Sequence, residues 1–408
     1  MRVLPITAAS VLLLAAGRVA AAQERVSRTA AVASAISHAP RVAMARADSA
    51  GARAELLRAR QYENPILALA YSKDPPEHHV GFEFPLDLPW FRTPRVGFAQ
   101  ASLDAAALRF AFDREAVAFD ADTSYTQALA AAARARLSRG TARDADSLVV
   151  LARVRRDAGD GSELDVQLAM VSAGQLANTA ATDSIDALGA LLALQAVMGL
   201  DAVAPTVVLA DTLELHGGAA RSSGTPLLIA AAEQNARAAD LGVERERRLR
   251  FAMPALTLGF DTHDPGGQGN AILPAIGIAM PLPLFNQNAG GVQAAQAQRD
   301  RAQAELAQTR IDVNAALAQA RRTLAVATAR ATRSRALVDG SNRVAALSLV
   351  AYREGAAPLS SVLEAQRTAR ETLAQYVNDV AAAYNAASLA ELLARTATTV
   401  TAATGTNR

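Results

Sequence analysis

Pro85-Leu86-Asp87-Leu88 is a stretch that this chain uses twice, since it recurs 196 positions later as Pro281-Leu282-Pro283-Leu284. The two copies then keep the same register, without a gap, past Gly159 and its counterpart Gly355. A register kept over so long a segment predicts that one supersecondary unit was duplicated. We therefore expect both copies to end at the same height in the folded protein.

Long helical segments follow each copy of this stretch. Thr93-Pro94 has the character of an N-cap followed by a first helical residue, so a helix is predicted over 93–157. The second copy predicts the same helix over 288–353. Partner helices are predicted over 164–198 and 359–395, and shorter helices over 27–62 and 226–250. Only 4% of residues are aromatic, and such long helices without bulky side chains usually lie side by side as coiled coils.

Four short segments interrupt the helical pattern. In the clearest of them, large apolar residues occupy every second position, while Gly81, Glu83 and Asp87 point the other way. The apolar positions are Val80, Phe82, Phe84, Leu86 and Leu88. This period of two predicts a strand, either between lipid and a watery lumen or half buried in a soluble protein. With partner strands at 66–72, 255–261 and 272–282, each repeat carries one hairpin.

The chain divides into segments of different character. Arg2, an apolar run over 11–16 and the small residues of 20–22 predict a signal peptide over 1–22, with the mature chain beginning near Gln23. The first repeat is then 23–200, with its hairpin at 65–88, and the second is 226–395, with its hairpin at 255–284. An irregular linker over 201–225 separates them, and 396–408 form a tail. No segment after the signal peptide is expected to form a transmembrane helix.

Four strands in one chain cannot close a barrel. An open sheet edge in lipid would leave backbone groups unpaired, at a cost of several kcal/mol each. If the strands lie in a membrane, several chains must share the barrel, and three chains would supply twelve strands, an even number typical of outer-membrane barrels. The alternative is a soluble helical protein with two surface hairpins.

No pattern in the chain points to catalysis or to nucleic acid. The net charge is only +2, and arginine is dispersed among acidic residues. No catalytic Ser/His/Asp set or pair of carboxylates stands out, and the absence of cysteine excludes thiolate metal sites. The run Gly266-Gly267-Gln268-Gly269 lacks the lysine of a phosphate-binding loop and is interpreted as a turn. We therefore expect neither enzymatic activity nor a cofactor.

The histidines suggest a metal site only weakly. His78 and His79 fall in the first hairpin, and His263 lies beside Asp261 and Asp264 in the second. Adjacent histidines on a loop do not fix a coordination geometry, and no cysteine or methionine cluster accompanies them. No bound metal is predicted, and these histidines are interpreted as surface residues.

Several short motifs occur together at the ends of the hairpins and in a later helix turn. They are Asn64-Pro65-Ile66-Leu67, Met253-Pro254-Ala255-Leu256, Pro281-Leu282-Pro283-Leu284-Phe285-Asn286-Gln287-Asn288, Tyr352-Arg353-Glu354-Gly355 and Val362-Leu363-Glu364-Ala365-Gln366. With the duplication, they make nearly the whole mature chain resemble the outer-membrane efflux proteins, trimeric channels like TolC, and especially their heavy-metal and cation efflux branch.

The resemblance implies a mostly α fold with a small β part. Long antiparallel coiled coils would form a periplasmic α-barrel, and four strands per chain would contribute to a trimeric twelve-stranded transmembrane β-barrel in outer-membrane lipid. The function implied is a passive exit duct for small molecules or metal cations. A periplasmic adaptor and an inner-membrane pump, of the RND type, would be its partners. Two alternatives stay open: a periplasmic coiled-coil scaffold or adaptor, and the outer-membrane duct of a type I protein secretion system.

The resemblance also points to one end of the helices as the functional end. The helix turns would lie at a periplasmic tip that closes like an iris and meets the adaptor. The tip candidates are Gly159, Asp160, Gly161, Gly355, Ala356, Ala357 and Pro358, and the pore or gate candidates are Asp165, Tyr352, Ser361 and Glu364.

Each gate candidate has a plainer alternative. Ser361 stands where the family usually has aspartate, which weakens the case for a double acidic ring. Three copies of Glu364 in a narrow pore would concentrate cations. Alternatively, Asp165 and Glu364 are solvated helix residues. Tyr352 either forms a hydrogen bond across the closed turn or simply packs.

Overall fold

The computed structural model describes residues 24–74, 77–214, 224–251, 253–262, 273–280 and 282–396. The predicted signal peptide, the glycine-rich turn at 266–269 and the tail beyond Thr396 lie outside the described residues, as do His263 and Asp264. The described chain is mostly helical, with short strands at the ends of the helices.

The elements follow one another in a repeated order. The first half contains β1 (Glu24–Val26), α1 (Arg28–His38), α2 (Pro40–Arg60), β2 (Ile66–Tyr71), β3 (His78–Pro85), α3 (Pro89–Asp157) and α4 (Glu163–Val197). After β4 (Val207–Leu209), the second half contains α5 (Leu227–Arg248), β5 (Ala255–Thr262), β6 (Leu273–Ala279), α6 (Ala289–Arg353) and α7 (Leu359–Ala394). Helix α3, with 69 residues, is about 100 Å long at 1.5 Å per residue. The duplicated order of a helix, a hairpin and two long helices confirms the predicted helical architecture.

The two hairpins form one antiparallel sheet in the order β2-β3-β5-β6. The joint between them is the β3–β5 pair, in which Phe82 lies opposite Leu258 and Gly81 opposite Gly259. Leu86 and Leu88, predicted to extend the strand, lie beyond its end at Pro85. The Leu86 amide still donates to the Pro254 carbonyl, at 2.8 Å.

The long helices follow directly after the hairpins and pack in antiparallel pairs. Helix α3 runs antiparallel to α4, and α6 runs antiparallel to α7, while α2, α3, α5 and α6 pack in that order below the strands. Alanine dominates the buried seams, and in α6 the buried positions Val313, Ala320, Ala327 and Ser334 follow one another at intervals of seven. A heptad of small residues lets two helices approach closely along their whole length, so the predicted coiled-coil pairing is confirmed.

A second, two-stranded sheet was not predicted from the sequence. Strand β1 pairs in parallel with β4, so the predicted linker at 201–225 is tied to the beginning of the described chain. Tyr125, which is fully buried, donates its hydroxyl to the Val26 carbonyl and to the Asp211 carboxylate, each at 2.9 Å. This region anchors both small strands to the middle of α3.

Two predicted helix boundaries were wrong. Helix α3 begins at Pro89, with Leu88 as its N-cap, and continues through Pro94. Thr93 and Pro94 are therefore not its beginning, because Pro89 already supplies a first helical residue with no amide hydrogen to satisfy. The helix predicted over 27–62 is divided into α1 and α2 at Ala39, which is extended because a residue before proline disfavours the helical region.

Helix α4 also departs from the prediction that no later segment could cross a membrane. Among the described residues it is the one helix long and apolar enough to do so, by length and composition alone. It packs instead along α3, with Val166, Ala169, Ala173 and Ala180 buried. Its apolar character comes largely from alanine and leucine in a coiled-coil partner.

Candidate functional site

The two helix turns at one end of the bundle, here called the tip, have the same backbone. Gly159 and Gly355 adopt positive φ angles of 83° and 77°. In the first turn the Asp160 amide donates to the Arg155 carbonyl, and in the second the Ala356 amide donates to the Ala351 carbonyl, both at 2.8 Å. These are Schellman motifs, in which glycine supplies the left-handed residue after the helix. The duplication therefore produces two equal turns side by side.

The first turn is stabilised by polar side chains that belong to the turn itself. Ser162 and Asp165 form a capping box at the beginning of α4, in which each side chain accepts a hydrogen bond from the other residue's backbone amide. Arg156 forms ion pairs with Asp157 at 2.7 Å and Glu163 at 3.0 Å. Hydrogen bonds from Gln167 and Arg156 lower the pKa of Glu163. The predicted gate residue Asp165 thus has a local role as a cap.

Buried apolar side chains support the second turn. Tyr352, only 2% exposed, packs with Leu359 and Val362 against Leu148 and Val166 of the first repeat. Its hydroxyl has no hydrogen-bond partner among the described residues. Of the two alternatives for Tyr352, the structure has the packed ring and not the hydrogen bond. Burial, and secondarily the negative charge of Asp165, raise the pKa of Tyr352.

Arg155 joins the two turns, and sequence reasoning did not identify it. Its guanidinium carbon lies 4.7 Å from the centre of the Tyr352 ring, a cation–π contact. It donates one hydrogen bond to the Tyr352 carbonyl and another, of 3.0 Å, to the Asp160 carbonyl. One side chain of the first repeat thereby satisfies carbonyls of both turns. The available signal was a basic residue in the last helical turn before glycine, where free carbonyls attract cations.

The remaining predicted gate residues lie on the exposed side of α7. Ser361 is exposed and donates to the Pro358 carbonyl at 2.7 Å, which makes it part of the helix beginning. Glu364 is exposed on the wall of a groove of about 500 Å³ between α4 and α7, with Leu168 and Val171 opposite and Arg367 beside it. The structure therefore brings Asp165 and Tyr352 to one small region, whereas Glu364 lies apart on this groove.

The predicted tip residues are accessible. Gly159, Asp160, Gly355, Ala356 and Pro358 are exposed in the chain, and Gly161 and Ala357 are half-buried. They form a short, smooth end to two adjacent helical hairpins. This surface presents backbone groups and small side chains to solvent.

At the other end of the molecule, the four-stranded sheet has two different faces. The register of the four strands places eleven large apolar residues on one face. They are Leu67, Leu69, Tyr71, Val80, Phe82, Phe84, Leu256, Leu258, Phe260, Ile276 and Ile278. The opposite face carries small or polar residues over most of its area. They include Ala68, Ala70, His79, Gly81, Glu83, Thr257, Gly259, Asp261, Ala275 and Gly277.

The histidines of the first hairpin divide between these faces. His79 lies on the small and polar face and contacts Asp261, with 2.9 Å between Nδ1 and Oδ1, so the two hairpins are linked by this pair. His78 lies on the apolar face opposite Tyr71. No group of three or more metal-ligating side chains occurs within the described ranges. The His79–Asp261 pair alone does not make a coordination site.

Comparisons with known proteins identify relatives by sequence and similar solved structures by fold. No family model matches the chain. It is 26% identical over 318 residues to the cobalt-zinc-cadmium resistance protein CzcC of Cupriavidus metallidurans, covering 74% of this chain and 73% of the relative. It is 25% identical over 329 residues to the nickel-cobalt-cadmium resistance protein NccC of Alcaligenes xylosoxydans, covering 78% and 74%.

Among solved structures, the fold is similar to that of the outer membrane protein VceC of Vibrio cholerae. The TM-score is 0.70 at 19% identity, and the match covers 90% of this chain and 96% of the other. Sequence and fold together confirm the resemblance to outer-membrane efflux channels and their metal-resistance branch.

Proposed function

We propose that this chain is the outer-membrane channel of a tripartite efflux system, and that three copies share a twelve-stranded barrel continued by a helical tunnel. An inner-membrane pump and a periplasmic adaptor would supply the energy and the coupling. The channel itself would be a passive duct. The resemblance to outer-membrane efflux channels, in sequence and in fold, supports this reading.

The single observation that carries the proposal is the two-faced sheet. One face presents Leu69, Ile276 and Ile278, which are all at least 70% exposed in the chain, and the other presents glycine and alanine. A sheet in water would cover its apolar face with a helix or a second sheet. In a membrane barrel the same face contacts lipid, and the small residues leave a wide, wet lumen.

The edges of the sheet and of the helical layer support the trimer. Strands β2 and β6 each have a neighbour on one side only among the described residues. Helix α6 lies at the same edge as β6, and several of its large apolar side chains are exposed in the chain. They are Ile311, Val326, Leu337, Val344 and Leu347. Pairing β2 of one copy with β6 of the next would satisfy the edge strands, and the same rotation would cover α6.

Metal cations are the cargo that the relatives favour, because CzcC and NccC are named for resistance to cobalt, cadmium, zinc or nickel. The tip would be the gate. Its turns are held together by Arg155 and Tyr352, and an adaptor bound at the exposed glycines could separate them. Glu364 stays a candidate for attracting cations, since its carboxylate is exposed near that end.

The test uses the protein extracted from outer membranes in mild detergent. Electron microscopy should show a hollow, threefold particle of about 120 to 140 Å, the sum of helix rise and barrel height. A matched pair of variants tests the faces of the sheet: Leu69→Glu should prevent assembly in the membrane, whereas Ala70→Glu, one residue along and on the other face, should assemble.

The opposite result would overturn the proposal. Soluble monomers, or equal tolerance of both glutamates, would favour a periplasmic scaffold. A second measurement concerns cargo, with cadmium or cobalt susceptibility of cells that carry the pump and adaptor. Susceptibility unchanged by deletion of the chain would remove metal cations from the proposal and leave the channel.

A further inference from the structure

A buried ion pair lies halfway along the α6–α7 coiled coil. Asp379 on α7 is 3% exposed and accepts hydrogen bonds from Arg330 at 2.7 Å and Ser334 at 2.5 Å, both on α6. Gln375, one turn before it, donates to the same carboxylate at 2.8 Å. A single charged group in an alanine seam fixes the register of the two helices, because any slip would leave it unpaired.

The duplication repeats these residue types in the first half of the chain. At the same spacing of 196, Arg330 corresponds to Arg134, Ser334 to Ser138 and Asp379 to Asp183. Ser138 is buried like Ser334, and α4 lies along α3 as α7 lies along α6. The first repeat therefore contains three of the four members of this network at the same height, with Thr179 at the position equivalent to Gln375.

In this structure the first network is not closed. Arg134 donates to the Asn378 side chain of α7 at 2.7 Å, so it connects the two repeats. The Ser138 hydroxyl turns back to the Arg134 carbonyl at 2.9 Å. The Asp183 side chain is half-buried and has no ion-pair or hydrogen-bond partner among the described residues. The Asp183 carboxylate is therefore able to accept an arginine, as the equivalent Asp379 accepts Arg330 in the second repeat.

We propose that Arg134 is a positioning residue of the gate, which exchanges its partner between Asn378 of α7 and Asp183 of α4. While α3 and α7 are packed together, Arg134 holds the two coiled coils side by side. When they separate, Arg134 pairs with Asp183 and closes the same network that Arg330 and Asp379 form. This exchange rests on the proposed channel function, because it requires that the coiled coils move apart on opening.

The two partners give the exchange its direction. A hydrogen bond between arginine and a carboxylate is stronger than one between arginine and an amide. In the open arrangement, the Arg134–Asp183 pair therefore offsets the free energy lost with the Arg134–Asn378 hydrogen bond. In the closed arrangement α7 lies against α3, so Arg134 donates to the nearby Asn378 side chain and the Asp183 carboxylate is left unpaired. A contact made in only one state shifts the equilibrium toward that state by its own strength. Asn378 and Asp183 should therefore act in opposite senses.

Single-channel recording of the full-length trimer in planar bilayers tests this. Asn378→Ala should raise the open probability about fivefold, and Asp183→Asn should lower it about fivefold, the effect of one typical hydrogen bond. The double variant should return close to the original value. Asp186→Asn is the matched control, since this exposed carboxylate on the same helix has no described partner, and it should change nothing. The same direction of change in both single variants, or no change in Asp183→Asn, would overturn the exchange.

Hydrogen–deuterium exchange separates this inference from the proposed function. Asn378→Ala should accelerate exchange of α7 peptides around residue 378 about fivefold, because the link to α3 is lost. Asp183→Asn should not accelerate exchange of those peptides, because it leaves the Arg134–Asn378 contact in place. If the original protein conducts no ions but these exchange rates behave as stated, the channel function fails and the Arg134 contact stands. Unchanged α7 exchange in Asn378→Ala refutes the contact itself.

Discussion

The first turn of the tip keeps its shape with its own ion pairs and capping box, whereas the second depends on buried side chains and on an arginine from the first. The backbones are the same, with glycine in the left-handed region at Gly159 and Gly355. The residue at the position of Arg156 in the second repeat is Tyr352, so a buried ring replaces a partly exposed charge. The duplicated backbone thus has one copy stabilised by its own polar side chains and one copy that depends on contacts with the other repeat.

The largest effect is expected at Tyr352. Tyr352→Ala should destabilise the tip by about 3 to 5 kcal/mol, the range for removing a large buried aromatic side chain. Thermal unfolding in detergent and hydrogen exchange of the α6–α7 turn would measure it. The matched control is Arg156→Ala at the equivalent position, which should cost far less because its ion pairs are exposed. Equal losses in the two variants would contradict the asymmetry of the turns.

Arg155 is expected to come second. Arg155→Gln should cost about 1.5 to 3 kcal/mol, since it removes charge-assisted hydrogen bonds to the Tyr352 and Asp160 carbonyls. Hydrogen exchange should accelerate in both turns, because one side chain serves both. Faster exchange in the first turn alone would show that the bridge does not support the second. Arg153→Gln, in the same helix and exposed, is the control.

The two glycines should behave alike. Gly159→Ala and Gly355→Ala should each cost about 1 to 2 kcal/mol, because alanine is strained at positive φ. A methyl group at Gly159 would meet nothing within 4 Å, and at Gly355 it would lie 3.5 Å from Arg155, an ordinary contact. Chemical unfolding of the two variants should therefore give the same difference. A much larger cost at Gly355 would mean that the backbones of the turns differ more than their angles indicate.

The cap of the first turn is expected to have the smallest effect at neutral pH. Ser162→Ala should cost about 1 kcal/mol through the lost capping box. Pro358 occupies the equivalent position and has no side-chain cap, so Ser361→Ala is the matched variant and should cost less. Hydrogen exchange at the beginnings of α4 and α7 would compare them. A larger effect of Ser361→Ala would contradict the conclusion that the first turn, and not the second, is stabilised by its own polar side chains.

Alkaline pH should affect the second turn selectively. The pKa of Tyr352 is raised above its ordinary value of 10.0, so the unfolded chain loses this proton before the folded one. The contribution of Tyr352 to stability is therefore complete below about pH 10 and is lost as the pH rises through the raised pKa. The difference in tyrosinate absorbance between the original protein and Tyr352→Phe would report this titration. Because the Arg155 charge lowers this pKa, Arg155→Gln should move the titration to higher pH.

Much of the fold could be predicted from local signals. The ends of α3 at Asp157 and of α6 at Arg353 were predicted from the glycines that follow, and the hairpins from period-two runs. The beginning of α3 was not, because Pro89 and Pro94 are both acceptable first residues and only packing distinguishes them. Strands β1 and β4 have three residues each and pair across 183 positions, so neither carries a periodic signal.

The candidate site divides in the same way. The turn glycines and Tyr352 are visible in the sequence because the chain repeats itself there. The contacts of Arg155 and Arg134 with the other repeat span 197 and 244 residues, and no local pattern encodes them. The repeat comparison shows that Arg134 corresponds to Arg330 and Asp183 to Asp379. It does not reveal that the ion pair between these two positions is formed only in the second repeat, by Arg330 and Asp379.

The sequence by itself determined the duplicated unit, the C-terminal ends of the long helices and the hairpins, because these depend on residue periodicity and on glycine and proline geometry. Its short motifs carried the resemblance to outer-membrane efflux channels. Only the tertiary structure decided that the two hairpins form one sheet with opposite faces, that Tyr352 is buried without a hydrogen bond, and that Arg155 and Arg134 cross between the repeats. A long arginine side chain can reach several partners, and its choice depends on which helices lie within reach after packing.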